Sequence, residues 1–219
     1  MRSKKILVLA FFMAAGLIIA GLPALNSHDE NCSTRLEMAL DGCTVIIVGK
    51  DASVDGSVIT THTCDCGLCD WTWRYIPAAD HEPNSMRKIY WINQFRTWPP
   101  DGGLKWDTYF DDYSGLEIPQ VPHTFAYMHG AFGYMNDQQV AIGESTIGCQ
   151  DKMENPTPAA KFDITMLTLI AMERAKTARE AIQIMGKLGE EHGYGHTDTG
   201  EMLAVSDPNE VWIFEIMPV

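Results

Sequence analysis

The sequence predicts an α+β domain: a series of strands, then two helices, then a closing pair of strands. Three observations carry this expectation. Short β-branched or alternating apolar runs recur between Val45 and Gly143. Two apolar stripes at helical spacing follow Asp163 and Thr177. The chain then returns to strand-like runs at Met202–Ser206 and Val211–Ile216.

The first element is the run Cys43-Thr44-Val45-Ile46-Ile47-Val48. Its β-branched residues suit a buried strand. A second run, Ser57-Val58-Ile59-Thr60-Thr61-His62, follows a turn-forming segment that ends in Asp55-Gly56. The two runs read as an antiparallel hairpin. Pairing of that kind brings Cys43 and Asp65 to one edge of the sheet, although they are far apart in sequence.

Next comes Cys64-Asp65-Cys66-Gly67-Leu68-Cys69. Thiolates at this spacing can bind zinc or an iron–sulfur cluster, with His62 and His81 available to complete a site. Disulfide pairing or plain packing explains the same residues without a metal. Trp71 to Ile76 alternates in strand fashion, and Met86 to Ile92 reads as another strand. Gln94 to Glu117 is rich in Pro, Gly, Asp and aromatics and reads as a long loop. Its aromatics, among them Trp98, Trp106 and Tyr113, either wall a binding site or pin the loop to the body.

Phe125 to Tyr134 and Gln139 to Gly143 read as a second hairpin, with Asn136 at its tip. Asp163 caps a helix with Ile164, Leu167, Ile170 and Ala171 on one face. Thr177-Ala178-Arg179-Glu180 is a capping-box pattern that opens a second helix ending near Gly193. His192 and His196 are four apart, but the intervening glycines argue against a helical metal face. Asp207-Pro208-Asn209-Glu210 turns between the last two strands.

Residues 1–25 have a different character. Arg2, Lys4 and Lys5 precede a nearly unbroken apolar run from Ile6 to Leu25. This is the layout of a secretory signal, and the run is also long enough to anchor in a bilayer. Gly16, Gly21 and Pro23 favour the cleavable signal. Residues 26–42 read as a polar linker or propeptide, leaving 43–219 as one domain. Charges in the first two segments cancel, so the net charge of −13 belongs to that domain. Such acidity excludes nucleic acid and anionic membrane surfaces as partners, apart from the N-terminal apolar segment. Export also suits the six cysteines. With Cys32 removed, four of the other five can pair, and Cys43 is the natural odd one out.

Cys43 has two readings. As a small apolar residue it can simply pack. Alternatively, the peptide bond after Gly42 is cut, and the new α-amine serves as general base for the thiol of the same residue.

Cys43-Thr44 followed by Val48-Gly49-Lys50-Asp51-Ala52-Ser53-Val54-Asp55-Gly56-Ser57 resembles the opening of the dipeptidase A and secernin-like family. Those proteins are N-terminal-nucleophile cysteine peptidases, related to penicillin V acylases and bile salt hydrolases. The resemblance continues through Pro77 to His81, Met86 to Tyr90, Ile118 to Pro122, Gly133 to Asn136, Ile142 to Thr146, Lys176 to Ala181 and Ala204 to Trp212. It covers nearly everything after residue 42.

The resemblance implies a four-layer αββα sandwich and hydrolysis of a dipeptide or small N-acyl amino acid, without metal or cofactor. It implies Cys43 as nucleophile and Asp65 as support for the α-amine. Asn136 matches an asparagine that binds the oxyanion in the related acylases, although asparagine is equally a good turn residue. His62 stands where many relatives have an arginine, so a contact to a substrate carboxylate falls to a shorter, titratable ring. Glu144 either faces a substrate amine or is an ordinary hairpin carboxylate. Relatives run on past the last strand, so the expectation is the N-terminal portion of the family domain. The rival expectation is an exported, disulfide- or metal-stapled binding domain without catalysis.

Overall fold

The structure is a computed structural model that describes residues 43–65, 72–92, 112–130, 132–148, 159–195 and 200–218. The leader, the linker, Cys66, Cys69, Cys149, His196 and most of the aromatic loop lie outside the described residues.

Twelve strands and two α-helices are described. They are β1 (Val45–Val48), β2 (Ile59–His62), β3 (Arg74–Ile76), β4 (Ala79–Asp80), β5 (Met86–Trp91), β6 (Asp112–Pro119), β7 (His123–Thr124), β8 (Tyr127–His129), β9 (Gly133–Asn136), β10 (Ala141–Ile147), α1 (Ile164–Arg174), α2 (Ala178–His192), β11 (Gly200–Ser206) and β12 (Val211–Ile216). An antiparallel sheet runs in the order β12-β11-β10-β9-β8-β3. Three two-stranded ribbons accompany it: β1 with β2, β4 with β7, and β5 with β6.

Side chains alternate across β10, and the two faces meet different partners. Ile142 joins the core that α1 and α2 build on one face. Gly143 faces the other way and lies under the His62 ring of β2. Residues 141–145 are consequently all buried, as expected of a strand covered on both faces. The described residues thus form three layers: helices, six-stranded sheet and β1–β2 ribbon. A fourth layer is not among them. The ribbon's outer face leaves Ile46 and Ile59 exposed.

The helices obey their sequence signals. Asp163 caps α1, its carboxylate accepting from the Met166 N–H at 2.6 Å. The same carboxylate accepts from the Ile92 N–H, which ties the end of β5 to the helix start. Residues Ile164 to Glu173 are all buried, so α1 is the central helix rather than a surface one. Thr177 caps α2 through the Glu180 N–H, and Gly193, at φ 77°, ends it. Arg87 of β5 holds Glu173 of α1 with its Nε and NH2 groups, the shortest contact being 2.7 Å.

Two expectations are corrected. The loop read as Gln94 to Glu117 is overrun by β6, which starts at Asp112 and pairs with β5. The single strand read over Phe125 to Tyr134 is two strands, β8 and β9, paired with each other. The chain reverses where the Gly130 N–H bonds the Gly133 carbonyl at 2.9 Å and Phe132 takes φ 58°. A bulky residue rarely adopts that conformation, so the sequence gives little warning of the turn.

Candidate active site

The site is built on the β1–β2 hairpin. Its register, Val45↔His62 to Val48↔Ile59, continues outward. The Thr63 N–H donates to the Thr44 carbonyl at 2.8 Å, and the Thr44 N–H donates to Thr63 Oγ1 at 2.9 Å. Cys43 and Asp65 therefore flank the open end of the hairpin together.

That end rests on β10. Ser145 Oγ donates to the Cys43 carbonyl at 3.0 Å. The Glu144 N–H donates to the carbonyl of Phe132, the residue just before β9 begins. N–H groups two residues apart on a strand point to the same edge. The Thr146 N–H therefore points past the start of β9, and it meets the Cys43 thiol. The Asp65 N–H meets the same sulfur.

Burial pushes the Cys43 thiol above its ordinary value. The N–H groups of Asp65 and Thr146 pull it back in part, while the carboxylates of Glu144 and Asp65 push it further up. Glu144 is almost fully buried, and its Oε1 accepts from Thr146 Oγ1 at 3.2 Å. Asp65 is exposed. A half-buried thiol, two backbone donors and two carboxylates thus converge on one point.

His62 is the last residue of β2. Its ring fills a slot made by two paired glycines, Gly133 of β9 and Gly143 of β10. A Cβ at Gly133 would stand 2.6 Å from His62 Cε1, and one at Gly143 would stand 3.2 Å from His62 Cβ. The glycines are needed because the imidazole occupies the space their side chains would take.

Asn136 lies elsewhere. Its Nδ2 donates to the carbonyls of Met172 and Ala175 at 3.1 and 2.8 Å. Its Oδ1 accepts from the N–H groups of Gln138 and Val140. The amide is buried and fully engaged in closing the β9–β10 turn onto the end of α1. Val140 lies six residues before Thr146, about 20 Å along an extended strand. These four bonds give the Asn136 amide a structural part in the fold. Ser145 and Thr146, which do reach Cys43, gave no signal as site residues. The Thr146 contact is made by its backbone, which no side-chain pattern encodes.

The family model of Peptidase family C69 matches residues 42–218, from the residue before Cys43 through β12. The chain belongs to peptidase family C69. It is similar to a probable dipeptidase of Latilactobacillus sakei, 24% identical over 81% of this chain and 35% of the relative. A dipeptidase of Bifidobacterium longum is 28% identical over 79% of this chain and 33% of its own length. A probable dipeptidase B of Streptococcus pyogenes serotype M1 is 22% identical over 80% and 33%. The chain spans about a third of the length of these curated relatives.

Among the described residues of this C69 chain, no group of three or more His, Cys, Asp or Glu side chains could hold a metal ion. The cysteine cluster lies largely outside them. No helix among the described residues is long and apolar enough to cross a membrane.

Proposed function

We propose that this chain is the nucleophile-bearing portion of a cysteine dipeptidase, exported under its N-terminal apolar segment. The observation that carries the reading is the convergence of the Asp65 and Thr146 N–H groups on the Cys43 thiol. Membership of family C69 and the names of the relatives support a peptide-bond substrate.

Cleavage before Cys43 frees an α-amine on the same residue as the thiol. The amine takes the thiol proton, and the sulfur attacks the substrate carbonyl carbon. Negative charge gathers on the carbonyl oxygen beside the sulfur. The Thr146 N–H, on the same edge of β10 as the Glu144 N–H, is the donor available to it. The proton passes to the leaving amine as the C–N bond breaks. Water then hydrolyses the thioester and restores the thiol.

Asp65 supports the α-amine as a cation from the exposed side of the site. Glu144 is the buried carboxylate beside the reacting group and suits the charged amine of a dipeptide. His62 serves by seating the hairpin on Gly133 and Gly143 rather than by reaching for substrate. The three described layers are compatible with a four-layer sandwich whose remaining helices cover Ile46 and Ile59.

The test is a panel of dipeptides incubated with the wild-type protein and with Cys43→Ser. Hydrolysis by the wild type, lost in the variant, is the expected outcome. Hydrolysis that survives the substitution undiminished would refute the nucleophile. A wild type that binds peptides without cutting them would favour a non-catalytic domain.

A further inference from the structure

Gly133 and Gly143 pair directly and carry the His62 ring. The glycine floor extends one strand further. The Gly130 N–H donates to the Gly133 carbonyl at 2.9 Å, across the turn that joins β8 to β9. A Cβ at Gly130 would stand 3.5 Å from both Cδ2 and Cε2 of Trp73. Those atoms lie where the two rings of the indole fuse, so a ring face covers Gly130. Met128 and Met135 pair directly, and each lies two residues from its glycine, Gly130 or Gly133. Both glycines therefore face the same side of the sheet, and the Trp73 indole and the His62 ring share it. Tyr75, Met128 and Met135 form a row on that side, and all three are exposed. Trp73 itself is 65% exposed. It covers a glycine with one ring face and presents the other, which makes it a platform for an apolar group.

The platform lies within reach of the thiol. Thr146, whose N–H meets the Cys43 sulfur, is three residues beyond Gly143 on β10, about 10 Å along the strand. With the scissile carbonyl at the sulfur, a large side chain on the residue after the bond spans that distance, whereas the methyl of alanine falls short. Direction follows from β10. Ser145 faces the ribbon, since its hydroxyl bonds the Cys43 carbonyl, so Glu144 points to the opposite face. A dipeptide with its amine at Glu144 therefore carries its second residue toward the ribbon face, where Trp73 lies.

We propose that Trp73 is a specificity-determining residue, its indole receiving the aromatic or large aliphatic side chain of the dipeptide's C-terminal residue. The inference rests on the reading of Cys43 as the site of peptide attack. It names the substrate class within that reading: dipeptides whose C-terminal residue is large and apolar.

The experiment uses the full chain and two probes that cannot be cut. They are analogues of alanyl-phenylalanine and alanyl-alanine in which a methylene replaces the scissile carbonyl. Each is titrated against alkylation of Cys43 by iodoacetamide, read by mass spectrometry. The wild type should be protected by the phenylalanine analogue at about tenfold lower concentration than by the alanine analogue. In Trp73→Ala that ratio should fall to near one. Trp73→Phe, which keeps a ring over Gly130, should retain most of it. A Trp73→Ala protein that keeps the wild-type ratio would overturn the proposal. So would a wild type that shows no preference or no protection, whatever the variants do. Hydrolysis of the two parent dipeptides is followed in parallel. Trp73-dependent protection in a protein that cuts neither dipeptide would refute the peptidase reading and support the platform. Equal kcat/KM for both dipeptides, in wild type and Trp73→Ala alike, would support the peptidase reading and overturn the platform.

Discussion

Ser145 Oγ donates to the Cys43 carbonyl at 3.0 Å, although the two residues lie 102 positions apart. This bond fixes the residue that carries the thiol against β10 and so sets where the sulfur meets the Thr146 N–H. Removing it with Ser145→Ala is expected to cost about 1 kcal/mol, or about fivefold in kcat/KM. The pH dependence of Cys43 alkylation should change little, because no charge is lost. Dipeptide kinetics together with an alkylation profile check both expectations.

The Cys43 thiol sits above its ordinary value, first through burial and then through the nearby carboxylates of Glu144 and Asp65. Removing a negative charge makes the thiolate easier to form. Glu144→Gln should therefore lower the midpoint of the alkylation profile and speed alkylation at pH 8. A cationic α-amine released by cleavage before Cys43 acts in the same direction. A midpoint that rises in Glu144→Gln would contradict the placement of that carboxylate beside the thiol.

The glycine slot under His62 makes a double-mutant prediction. Gly133→Ala puts a methyl 2.6 Å from the ring, so the ring or the strand must shift. The expected cost is about 1–3 kcal/mol in chemical denaturation. In a His62→Ala background the methyl has room, and the cost of Gly133→Ala should largely vanish. Additive effects would mean that the ring does not depend on the slot.

Much of this fold is legible in the sequence where the signals are local. Asp163 and Thr177 announce their helices because a capping side chain acts within three residues. The β1–β2 hairpin and the β11–β12 pair follow from β-branched runs around turn residues. What stays hidden depends on distant partners. Asn136 reads as a turn residue or an oxyanion donor, and no local signal shows that the carbonyls of Met172 and Ala175 take its amide. The break between β8 and β9 depends on Phe132 accepting a conformation that its type rarely adopts. The Thr146 N–H is a site group because β10 continues beyond its pairing with β9.

Asp207 links the start of α2 to the β11–β12 turn. It is buried, which alone would raise its pKa. The N–H groups of Ala178, Asn209 and Glu210 outweigh that and hold it below the usual carboxylate range. A carboxylate with a depressed folded value stabilises the fold fully above its unfolded value, near pH 4. That stability is lost as the pH falls through the lower folded value. Asp207→Asn should therefore cost about 1–2 kcal/mol near neutral pH. The gap from wild type should narrow in acid, as urea denaturation at neutral and low pH would show.

The central claim is that Cys43 acts with its own α-amine, which requires the Gly42–Cys43 bond to be cut. Intact mass and N-terminal sequencing of the purified protein, expressed from the full chain, test this most directly. The account predicts a chain that begins at Cys43. A chain that begins upstream and stays that way on prolonged incubation would contradict it, because the amine would then remain an amide with no base to offer the thiol.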